Sequence, residues 1–171
     1  MARWLALLTF RCGPADLPHA PQLLGALLMA AFALDWIGSQ LMQPLAGEPW
    51  WSLLRAAIGM GLLWALLASS ARAARFVQTA IAMQMAAIAV NLAFLPILLV
   101  VWPLPSDPME MSPIQAGLGL ALMPLLVWFL TLRAGIIKSA LETAWLAAFF
   151  LSLMLLFAEA ALSISLIRML Q

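Results

Sequence analysis

The chain is written in long apolar runs, each broken by a few polar or helix-ending residues. A helix needs roughly 20 apolar residues to cross about 30 Å of hydrocarbon. Five runs reach that length, over 22–42, 50–70, 76–102, 113–132 and 140–168. The pattern predicts an all-α, polytopic membrane helix bundle with five transmembrane helices. It divides the chain into an N-terminal segment, 1–21, and a five-helix transmembrane domain, 22–171.

The breaks between runs carry their own physics. Ser112-Pro113-Ile114-Gln115 predicts a helix start. Ser112 caps, Pro113 suits the first helical position, and Gln115 closes a capping box. Ser139-Ala140-Leu141-Glu142 repeats that pattern ahead of the fifth run. It puts Glu142 in a first turn, where a negative charge suits the helix dipole. Pro44 and Pro49 bracket a tight turn, and the prolines of 103–108 cannot continue a helix. The stretch 71–75, ARAAR, is a good helix former. Without a bend there the second and third runs would merge into one rod of over ~50 residues, far beyond a membrane span. A bend is therefore required, although no Gly or Pro marks it. Pro96 and Pro124 are expected to kink the third and fourth helices. Small residues at four-residue spacing predict close helix contacts in a compact bundle. They are Ala57, Gly61 and Ala65; Ala82 and Ala86; Ala89 and Ala93; Gly117 and Ala121; and Ala140, Ala144 and Ala148.

Composition changes the solvent, not the pattern. The chain is 66% hydrophobic and 9% charged, against about 25% charged for a soluble domain. These side chains belong in lipid. A net charge of +1 points away from a nucleic-acid partner, and a single cysteine excludes an intrachain disulfide. Basic residues fall in alternate breaks: Arg3 and Arg11, then Arg72 and Arg75, then Arg133 and Lys138. The breaks between them carry Glu48, then Asp107 and Glu110. The positive-inside rule predicts a cytoplasmic N-terminus and a C-terminus outside. Trp50, Trp51 and Trp102 would form an outer aromatic belt, with Trp128 and Trp145 nearer the inner one. Residues 2–10 read as retained at the membrane surface rather than as a cleaved signal, with Trp4 at headgroup depth.

Ionisable groups inside spans are costly, so each is a functional candidate. Asp35 lies in the first span, Arg55 in the second and Glu159 in the fifth, all in the predicted outer half. Asp35 and Arg55 sit on consecutive antiparallel helices and differ in depth by about 6 Å at ~1.5 Å per residue. An Arg side chain bridges that distance, which predicts an Asp35–Arg55 pair with Glu159 as a third member. Asn91 in the third span, with Gln40, Gln78 and Gln84, would add hydrogen bonds. Two readings stay open: these groups line a proton or ion path or grip a headgroup, or they are glue between helices.

Catalytic chemistry is sparse. Cys12 and His19 have no second Cys or His to close a zinc site. A Cys–His nucleophile needs an orienting group and an oxyanion site; Asp16 is nearby, but the segment is short and broken by prolines. H-E-x-x-H, G-x-S-x-G and Walker A motifs are absent. No enzymatic activity, cofactor or metal is expected. The opening stretch RCGPADLP offers a rigid motif in Arg11, Gly13, Pro14, Asp16 and Pro18. Arg11 anchors it inside, Gly13-Pro14 turns the chain, and Asp16 caps the Leu17-Pro18 turn. It binds either the loops at 71–75 and 133–139 or a partner.

The same stretch resembles the R-x-G-P-x-D-L-P opening of small uncharacterised proteobacterial inner-membrane proteins. RFVQTAIAMQMAAIAVNLAFLPI, 75–97, resembles the R-F-x-Q-T…L-P segment of those proteins and, more loosely, the middle span of Yip1-like five-span membrane proteins. The resemblance implies a multi-pass bacterial inner-membrane protein without established catalysis. The leading expectation is a non-enzymatic scaffold or assembly factor for another membrane protein. The alternative is a small transporter or channel subunit using Asp35, Arg55 and Glu159. Its surroundings are the lipid bilayer and, as partner, another membrane protein or a second copy of the chain.

Overall fold

The computed structural model describes Ala6 and residues 13–42, 49–101 and 112–170. Five long helices dominate it: α1 (Pro21–Met42), α2 (Pro49–Ser69), α3 (Phe76–Val101), α4 (Pro113–Leu141) and α5 (Trp145–Leu170). Each is long and apolar enough to cross a membrane. Among the described residues there is no strand. The chain is an all-α, multi-pass helix bundle.

The helices close into a ring. α1 packs on α3, α3 on α4, α4 on α5, α5 on α2, and α2 returns to α1. The starts of α1, α3 and α5 share one end with the tails of α2 and α4. That end carries Arg72, Arg75, Lys138 and Glu142 and is called the basic end below. The tightest core lies near it. Thr79, Ile81 and Met85 of α3 and Leu132 and Ile137 of α4 are almost fully buried, with Leu67 of α2. Lipid tails are as apolar as these side chains, so close packing rather than exclusion from water holds such helices together. Large residues such as Met29, Leu120, Met154 and Phe157 face outward.

Local signals explain most helix ends. Pro21, Pro49 and Pro113 each open a helix, where a missing N–H costs nothing. At Ser112 the predicted capping box is present. Its hydroxyl accepts from Gln115 N at 3.2 Å, and Gln115 Oε1 accepts from Ser112 N at 3.1 Å. The bend required near 71–75 comes from Ala71 in the left-handed region, φ 56°. Ala71 N donates to Ala68 O and Arg72 N to Leu67 O, a Schellman ending usually assigned to glycine. A short 3-10 turn, Ala73–Arg75, then leads into α3. α3 and α4 run on through Pro96 and Pro124.

Several expectations need correcting. Ser139 and Glu142 do not start the fifth helix. α4 continues to Leu141, and Glu142 ends it with φ 52°, its neighbour Thr143 donating to Lys138 O. α5 begins at Trp145. Of the small-residue stripes, Ala82, Ala86, Ala140 and Ala148 are buried. Ala57, Gly61, Ala65 and Gly117 instead face outward. Trp128 is no belt residue, because it packs on the core some 13 residues from the end of α4, about 20 Å at 1.5 Å per residue. Arg11, Trp4, Trp102 and the breaks at 43–48 and 102–111 lie outside the described residues.

Candidate functional site

Asp35, Arg55 and Glu159 each stand 14 residues from the basic end of their helices, and Asn91 stands 15. At 1.5 Å per residue all four lie about 21 to 23 Å along, near mid-depth. They face one cavity of about 400 Å³ to which all five helices contribute. The depth agreement follows from the short connections, which keep consecutive helices in register.

The Asp35–Arg55 pair joins α1 and α2, with Arg55 Nη1 donating to Asp35 Oδ1 at 3.2 Å. It bridges the more lightly packed of α2's two main seams. Both side chains stay accessible, at 34% and 48%. Glu159 sits deeper and turns to a different partner, Arg133 of α4, at 3.7 Å from Nη2 to Oε2. Helical side chains lean toward their own N-termini. α4 and α5 are antiparallel, so Arg133 leans up from the basic end while Glu159 leans down to meet it. Gly59 of α2 makes room: a Cβ there would stand 3.3 Å from Glu159 Oε1. Gly59 lies one turn from Arg55, so the two ion pairs border the same space. Phe129 flanks the Arg133 guanidinium at 5.4 Å.

Arg133 is the residue the sequence reading missed. The fourth apolar run stops at Leu132, which puts Arg133 in the break that follows. The signal was present: Ala134, Ile136, Ile137 and Ala140 continue an apolar helical face without a proline and with only the isolated Gly135, which a helix tolerates, and all four are buried. The 29-residue helix therefore carries Arg133 inside. Gln84 and Ser52 also line the cavity. Gln78 does not, because it donates to Leu17 O at 2.7 Å near the basic end.

The opening motif belongs to the basic end. Pro14–Asp16 forms a 3-10 turn. Asp16 closes it on Gly13, whose N donates to Asp16 Oδ2 at 2.8 Å, not on the Leu17-Pro18 turn. The turn packs on α3 and α4. A Cβ at Gly13 would lie 3.2 Å from Ser139 Cβ, which accounts for glycine there. Pro14 and Leu17 are buried, and Pro18 leads exposed into α1. Beside it, Arg72 grips Glu142 through two contacts, 2.7 and 2.8 Å. Arg75 adds a third at 2.6 Å and caps α4 through Ala140 O at 3.2 Å. The hydrogen bonds from Arg72 and then Arg75 pull the Glu142 carboxyl down to about 2, and Glu142 in turn raises the Arg72 guanidinium further.

Among the described residues, no group of three His, Cys, Asp or Glu is placed to hold a metal. No family model matches the chain, and no curated protein or solved structure matches it either.

Proposed function

We propose that the protein is a small carrier that binds a polar solute inside the membrane. The observation that supports this most is the convergence of Asp35, Arg55, Asn91, Arg133 and Glu159 on one cavity inside the bundle. A charge at the centre of a spanning helix costs about 2.5 to 3.5 kcal/mol. Four such charges cost at most roughly 10 to 14 kcal/mol before pairing, less for Arg55 and Arg133, which stand nearer their helix ends, and this is still comparable with the whole stability of a typical domain. Helices bound only to each other, or to a partner protein, are held more cheaply by apolar packing. Of the two expectations, a scaffold and a transporter, the charged cavity therefore favours the second. Alternation of basic and acidic breaks supports placing the basic end on the cytoplasmic side of the membrane, and the resemblance of the opening stretch adds a bacterial inner membrane to the proposal.

Cysteine accessibility tests this. In a Cys12→Ser background, Ala87→Cys lies in the cavity wall and Ala57→Cys on the outward face. A membrane-impermeant maleimide applied to each side in turn should label position 87 and leave position 57 unlabelled. Position 87 inert from both sides in the membrane, yet reactive once denatured, would overturn the reading.

A further inference from the structure

Donors and acceptors in the cavity do not balance. Arg133 has five N–H donors in a rigid fork. Its side chain is 15% accessible, and its one carboxylate contact, at 3.7 Å, is longer than a good charged hydrogen bond. Its Nε is buried and meets no acceptor among the described residues. An under-used donor set on a buried charged group is costly, and the planar guanidinium, whose Nη2 holds Glu159 only at 3.7 Å, suits a carboxylate. What the site lacks is an acceptor, and the acceptor that fits is an anion.

Charge narrows this further. The groups facing Glu159 are Arg133 on α4, Arg55 on α2, Asp35 on α1, and the neutral Gln84 and Asn91 on α3. With all four charged groups ionised, the cavity is neutral. An anion entering alone would leave one uncompensated negative charge in a low-dielectric space. A proton on Glu159 restores neutrality and, at the same time, releases Arg133 from its weak contact. The remaining walls, including Phe32, Phe94, Phe129 and Leu98, suit an apolar body.

Resting on the carrier reading, we infer that the cavity takes a monocarboxylate with an apolar body together with one proton, the carboxylate on Arg133 and the proton on Glu159. The ligand replaces the Glu159 carboxylate as the partner of Arg133, and Glu159 becomes a neutral acid. No net charge crosses the site.

Calorimetry on the full chain in nanodiscs reads this directly, using hexanoate in two buffers of different ionisation enthalpy. The expected result is binding with uptake of about one proton at neutral pH, following the charge balance above. Glu159→Gln should still bind hexanoate but without proton uptake, and hexanoate should raise its melting temperature more than that of the native chain. Arg133→Gln should bind about ten- to hundredfold more weakly, the scale of one charged hydrogen-bond set. Palmitate binding more tightly than hexanoate assigns the anion to the bilayer; the reverse order assigns it to the aqueous phase. Hexylammonium binding in place of hexanoate, or hexanoate binding unchanged in Arg133→Gln, overturns the inference. If Ala87→Cys still labels in that event, the carrier reading stands and only the substrate class has failed.

Discussion

The basic end and the mid-depth cavity are built from the same parts, arginines and carboxylates, and use them in opposite ways. At the basic end Glu142 receives three contacts of 2.6 to 2.8 Å from Arg72 and Arg75. Arg75 also turns Nη1 to the α4 terminus, at Ser139 O and Ala140 O. In the cavity the contacts are 3.2 and 3.7 Å, and Arg133 keeps a buried donor unmet. Satisfied geometry in a solvated place marks a clasp that closes the fold. Unsatisfied geometry in an expensive place marks a site held ready for something else. The count of charges alone does not separate the two.

That contrast can be attacked at either end. The largest effect is expected at the deeper pair. Glu159→Gln alone strands the Arg133 charge and should cost about 3 to 5 kcal/mol, while Glu159→Gln with Arg133→Gln should recover most of it. Thermal unfolding of the two variants checks the sign of this coupling. Asp35→Asn should cost less, about 1 to 2 kcal/mol, because its pair with Arg55 is partly accessible and lies between the surface and buried cases. Equal losses at the two pairs would erase the distinction drawn between them.

Glu142→Gln should lower the melting temperature by less than Glu159→Gln, and its effect should depend on pH in a defined direction. The folded carboxyl sits near 2, below its ordinary 4.5. Its stabilising contribution is therefore fully present above about pH 5 and is lost as pH falls through about 2. The difference in melting temperature between native and Glu142→Gln chains should be flat from pH 5 to 7 and vanish in strong acid. The smallest effect is a gain. Ala71→Gly relieves a left-handed alanine and should stabilise by up to about 1 kcal/mol. A loss there would mean that the bend after α2 is shaped by something other than its Schellman ending.

How much of this was legible in the sequence follows from the same physics. Span number is set by apolar length, so five helices could be counted directly. The Asp35–Arg55 pair was legible because few residues separate the two apolar runs, which limits the relative depth of consecutive helices. The Arg133–Glu159 pair joins consecutive helices too. It was hidden because an apolar run can end while the helix continues, and here only an isolated Gly135 and no proline follows Leu132 before Glu142. The outward-facing stripe of Ala57, Gly61 and Ala65 shows a second limit. Small-residue spacing permits close approach but does not choose which face of a helix turns inward. In α2 that choice goes with Gly59, beside which Glu159 is seated. The bend at Ala71 was demanded by length alone, and only the backbone shows how alanine supplies it.

The central claim is that the mid-depth charges serve a ligand and not the fold. It is tested most directly by removing all four at once, as Asp35→Leu, Arg55→Met, Arg133→Met and Glu159→Met, and measuring the melting temperature of the purified chain in nanodiscs. Replacing buried ion pairs by apolar residues of similar volume is often neutral or stabilising by about 1 to 4 kcal/mol. The account predicts a melting temperature at or above that of the native chain. A variant that melts well below the native chain, or fails to assemble in the membrane, would contradict it and make the cluster the glue of the bundle.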